Sequence, residues 1–191
     1  MTLLVLGLLI FLGPHSVRIF ADEWRAARMR AMGLNAWKGV YSLISLAGFA
    51  LIVVGFGETR GMPELWNPPV WTRHVTALLL LPAFVLLAAA YVPGTHIKAA
   101  VGHPMVAGVK LWAFAHLLST GRPGNVLLFG AFLAWAIVDY VSARRRDRAT
   151  GTRYPAGPWS RDAVAGVIGV VAWGLFAKWG HAWLIGVAPL G

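Results

Sequence analysis

Runs of about 20 apolar residues recur along this chain, and runs of that length leave few folds open. Backbone inside hydrocarbon has to satisfy its own hydrogen bonds, so each run reads as a membrane-crossing helix. Six are expected, over residues 2–20, 36–56, 72–92, 104–119, 124–141 and 162–186. The fourth is the weakest, because Lys110 and His116 interrupt it. Only 13% of the 191 residues are charged, against about 25% in an ordinary soluble domain. The expectation is one all-α integral membrane domain over residues 1–191, a six-helix transmembrane bundle with short connections.

Charge placement orients the bundle. Of 17 basic residues, twelve fall in segments on one side, three (Arg60, Arg73 and Arg122) on the other, and Lys110 and Lys178 inside spans. By the positive-inside rule, the N- and C-termini lie outside and the basic segments inside. Residues 1–12 carry no charge and Arg18, Arg25, Arg28 and Arg30 follow them, the reverse of a secretory signal. The net charge of +10 is then explained by loops facing an anionic leaflet. The lipid bilayer is the expected partner, and no nucleic acid is needed. Trp24, Trp37, Trp66, Trp71, Trp159 and Trp183 lie near span ends, as interfacial anchors do.

The chain has no cysteine, which excludes disulfides, thiolate nucleophiles and Cys-ligated iron. Walker, GxGxxG, HExxH and GxSxG motifs are missing. Seven acidic residues, mostly in loops, leave little for paired-carboxylate chemistry.

Ionisable residues inside spans are costly and mark function or packing. Here they are His15, Arg18, His74, Lys110, His116, Asp139, Lys178 and His181. Lys110 and Asp139 fall at one depth on adjacent antiparallel helices, which predicts a structural ion pair. Val109, Trp112 and His116 share a helical face by their three- and four-residue spacing. Several histidines in one small bundle suit a haem, because bundle cores hold cofactors between facing helices and imidazole is a common axial ligand. His15 and His116 differ in expected depth by about 10 Å; His74 and His181 match the depth of His116 better.

Four stretches are distinctive: Gly102-His-Pro-Met-Val-Ala-Gly-Val-Lys-Leu-Trp-Ala-Phe-Ala-His-Leu-Leu118, Phe11-Leu-Gly-Pro-His-Ser-Val-Arg18, Trp37-Lys-Gly-Val-Tyr-Ser-Leu43 and His181-Ala-Trp-Leu-Ile-Gly-Val-Ala-Pro-Leu-Gly191. With them the chain resembles the NnrU family of bacterial inner-membrane proteins over nearly its whole length. That resemblance implies a multi-pass protein linked to denitrification, through nitrite and nitric oxide reductase systems. NnrU proteins are also similar to the plant zeta-carotene isomerase, a haem b protein that isomerises a cis double bond. Its ligand motifs match Pro14-His15-Ser16 and Trp112-Ala-Phe-Ala-His116 here, and its Arg-His-Pro motif matches Gly102-His103-Pro104. The resemblance therefore implies haem b, with His15 and His116 as axial ligands, His74 and His181 as alternatives, and Trp112 and Arg18 as cofactor-binding residues. Arg18, three residues after His15, would meet a propionate. The isomerase's cysteine ligand corresponds to Ala113, so a thiolate exchange has no counterpart. Three functions are carried forward. They are a haem protein acting on an apolar small molecule or as a redox component, a cofactor-free accessory protein for a respiratory reductase, and a relative of isoprenylcysteine methyltransferases, suggested by His103-Pro104.

Overall fold

The structure is a computed structural model and describes residues 1–189; Leu190 and Gly191, the end of the last motif above, lie outside the described residues. The described residues form α-helices joined by short loops: α1 (Thr2–Phe20), α2 (Asp22–Met32), α3 (Leu34–Glu58), α4 (Trp71–Tyr91), α5 (His96–Val101), α6 (Pro104–Leu118), α7 (Pro123–Thr150), α8 (Ser160–Leu175) and α9 (His181–Ile185). A π turn, Phe176–Gly180, joins α8 to α9. The chain is an all-helical membrane protein.

Five helical stretches are long and apolar enough to cross a membrane: Thr2–Phe20, Leu34–Gly61, Trp71–Tyr91, Pro123–Thr150 and Ser160–Ile185. Each coincides with an expected span. The sixth, α6, has 15 residues and at 1.5 Å per residue reaches only about 22 Å, short of the ~30 Å hydrocarbon thickness. At one end Gly102 packs against Arg144, and at the other the Gly121 carbonyl accepts from the Leu65 N–H at 2.8 Å. Met1 and Glu58 form an ion pair at 3.9 Å, and Gly186 approaches Arg60. Both termini of the described chain thus sit at the end of the bundle opposite the arginine-rich one.

Helix also forms outside the apolar runs, as in α5. The segment 22–32 forms α2, which buries no residue. The helix α7 continues past its apolar part, which ends near residue 141, to Thr150 through Ala-Arg-Arg-Arg-Asp-Arg. Alanine and arginine are strong helix formers, but they carry no membrane signal. Gly151, at φ 65°, ends α7 in the left-handed region.

The helices pack in the order α3, α1, α7, α6, α4, α8. Small residues set their closeness. A side chain on Gly48 would place its Cβ 2.6 Å from the Phe11 nitrogen, and one on Gly7 2.5 Å from the Ile52 nitrogen. Gly55 meets the Leu4 backbone in the same way. Lipid offers apolar side chains no hydrophobic reason to associate, so close backbone approach supplies the contact. The largest core cluster, Leu4, Leu8, Ile52, Ala113, Leu128 and Phe129, lies where α1, α3, α6 and α7 meet. Leu9, Leu43, Leu46, Leu78 and Val167 project outward, each more than 60% exposed, as lipid-facing residues do.

Candidate functional site

His15 lies on α1, one residue after Pro14. Its Nδ1–H donates to the Phe11 carbonyl at 2.6 Å. The Phe11 ring stacks on the imidazole at 4.4 Å, Tyr41 of α3 lies 5.1 Å away, and Trp135 of α7 meets it edge-on at 6.0 Å. Among the described residues, Nε2 has no hydrogen-bond partner. Two further polar atoms here share that condition. Trp135 Nε1 and Ser45 Oγ, one turn beyond Tyr41 on α3, are buried without a partner. Asp139, one turn from Trp135, lies within electrostatic reach of His15, Arg18, His103 and Arg146. Three helices therefore bring a cluster of polar atoms together inside the apolar bundle. Unpaired polar atoms there cost free energy unless something bonds them.

His116 is built the same way on α6. Its Nδ1–H donates to the Trp112 carbonyl at 2.8 Å, and its ring stacks on Phe129 at 4.4 Å. The space between the two histidines is filled. Phe11 lies 5.8 Å from Phe132, Phe132 lies 5.6 Å from Trp112, and Trp112 lies 5.4 Å from His116. This ladder of rings leaves no slot in which one macrocycle would meet both imidazoles. A haem held by both His15 and His116 does not fit. A haem held by one imidazole does fit the donor set, because an Nδ1–H committed to a carbonyl fixes the tautomer that presents Nε2 to a metal. His15 alone has orphaned polar atoms beside it.

Of the two alternative histidines, His74 stands apart, while His181 lies within electrostatic reach of His116. Thr76 Oγ1 donates to the Ala115 carbonyl of α6 at 2.8 Å. His74, two residues and about 200° away, points outward and is exposed. His181 donates from Nδ1 to the Val187 carbonyl at 2.7 Å and meets Phe176 at 5.8 Å. Arg18 is exposed, and its carbonyl accepts from Arg146 Nη1 at 3.4 Å. Among the described residues no group of three His, Asp or Glu side chains converges as a metal site.

The expected Lys110–Asp139 ion pair is not made. Lys110 Nζ sits 4.4 Å from the centroid of the Tyr140 ring instead, a cation–π contact. Equal depth puts the right turn of α7 beside Lys110, but 100° per residue turns Tyr140 rather than Asp139 toward it.

Sequence reasoning missed a second polar cluster, at the arginine-rich end. Asp147 accepts from His103 Nε2–H at 2.9 Å, from the Tyr154 hydroxyl at 3.0 Å and from Arg144 Nη1 at 3.4 Å. Burial pushes the Asp147 carboxyl up, but the bonds from Tyr154 and His103 and the Arg144 charge outweigh it. They hold the group below the usual carboxylate range. Burial, the Asp147 bond and the Asp147 charge raise the Tyr154 phenol. The available signal was one acid inside a run of arginines. At the starts of α5 and α8, Asp162 accepts from the His96 and Ile97 N–H groups at 3.0 and 3.1 Å and from His96 Nδ1–H at 2.8 Å, while Trp159 stacks on His96 at 3.7 Å. That cluster fastens α5 to the start of α8.

The family model described as NnrU protein matches residues 3–189. No curated protein and no solved structure matches.

Proposed function

The chain belongs to the NnrU family, and from that premise we propose that it is a haem b-binding protein of a bacterial inner membrane, in which the single imidazole of His15 would hold the haem. The observation that carries this reading is the unpartnered Nε2 of His15 beside the ring of Trp135, whose buried indole N–H has no acceptor. Arg18 lies on the same face, about one turn nearer the arginine-rich end, where a guanidinium suits a propionate. When bound, haem would supply one-electron redox chemistry.

The resemblance to NnrU proteins supports a nitrite or nitric oxide reductase system as the partner. An isomerase reaction through thiolate exchange has no thiol to use, since the chain lacks cysteine.

The test is the absorbance of protein made with ample haem and purified in mild detergent. A Soret band is expected in wild type, in His116→Ala and in His96→Ala, and its loss in His15→Ala. Folded protein without any Soret band would return the chain to the accessory-protein reading.

A further inference from the structure

At the arginine-rich end a cleft of about 250 Å³ opens beside the start of α6, roughly eight times the ~30 Å³ share of one liquid water. Lys98, His103 and Tyr154 give it a polar lining, and Ala90, Met105 and Val106 an apolar one. Lys98 Nζ lies 5.8 Å from the centroid of the Tyr154 ring. Lys98 makes no ion pair among the described residues. The nearby carboxylate, Asp147, is already bonded to His103, Tyr154 and Arg144. Arg144 stands against Gly102, in the space a side chain there would take. Lys98 and Arg144 against Asp147 leave one uncompensated positive charge at the cleft.

We propose that this cleft binds an anionic phospholipid by its phosphate, with Lys98 meeting the phosphate and Met105 and Val106 meeting the start of an acyl chain. The charge excess selects an anionic headgroup, and basic pockets between helices at the inner surface take such headgroups. The apolar residues favour a lipid over free phosphate. Met105 is 41% exposed at the first turn of α6, where an acyl chain leaving the headgroup would run. The haem reading plays no part in this inference.

Native mass spectrometry of protein released from mixed micelles tests it. The probes are phosphatidylglycerol, phosphatidylcholine and inorganic phosphate. One phosphatidylglycerol should be retained in preference to phosphatidylcholine. Lys98→Gln should weaken that binding about fivefold, the share of one surface cation, and Lys98→Arg should keep it. Lys38→Gln, on the exposed start of α3, should change nothing. Lys98→Gln leaves every ion pair and side-chain hydrogen bond of the cleft intact, so folding is preserved. Equal retention of the two lipids, or no effect of Lys98→Gln, would overturn the proposal. Displacement of the lipid by millimolar inorganic phosphate would reassign the cleft to free phosphate.

Discussion

Trp135 separates the two states of the His15 cluster. Its indole N–H is buried without an acceptor, so replacing it by phenylalanine removes an unsatisfied donor. Trp135→Phe should leave the haem-free protein as stable as wild type, or more stable, because removing an unpaired polar group is neutral to favourable. The same change should speed haem loss if the indole bonds the cofactor. Melting temperature without haem and the rate of haem transfer to an apoglobin acceptor read the two effects. Asp147 behaves oppositely, since its partners are already in place. Asp147→Ala strands His103, Tyr154 and Arg144 and should cost about 1–3 kcal/mol, read by thermal unfolding in detergent. The pH dependence follows from the depressed carboxyl. Its stabilisation is present above the ordinary value of 3.8 and is lost as pH falls through the lower value of the folded state. Acid below about pH 4 should therefore loosen wild type more than Asp147→Ala.

At the scale of elements, glycines decide how α1 meets α3. Gly48→Leu drives a side chain into the Phe11 backbone and should destabilise by about 1–3 kcal/mol or more. Gly13→Ala, with nothing within 4 Å of its Cβ, should stay within about 1 kcal/mol of wild type. Unfolding in a denaturing detergent series checks both. The long helices were legible in the sequence because hydropathy averages over twenty residues and tolerates errors in any one. The α2 helix and the last turns of α7 were not, because arginine and alanine favour a helix without favouring lipid. Rotation about a helix axis was not legible either. Depth follows from counting residues, but facing depends on how neighbours pack, and Lys110 found the Tyr140 ring rather than the Asp139 carboxylate.

For the whole molecule, the basic-residue count makes a directional claim. A reporter fused at Gly61 should read outside and one at Arg148 inside; the reverse result would invert the bundle. At this scale the site was half legible. His15 and His116 announced themselves because ionisable residues in spans are rare. Their relation did not, because the rings of Phe11, Phe132, Trp112 and Phe129 look in sequence like ordinary packing, and in space they keep the histidines apart. Trp135 likewise reads as a core residue until its nitrogen is found without an acceptor. The central claim, one imidazole on one haem, is tested most directly by the electron paramagnetic resonance of the ferric protein. A high-spin signal that disappears with His15→Ala and survives His116→Ala is the predicted result. A low-spin signal requiring both histidines would contradict it.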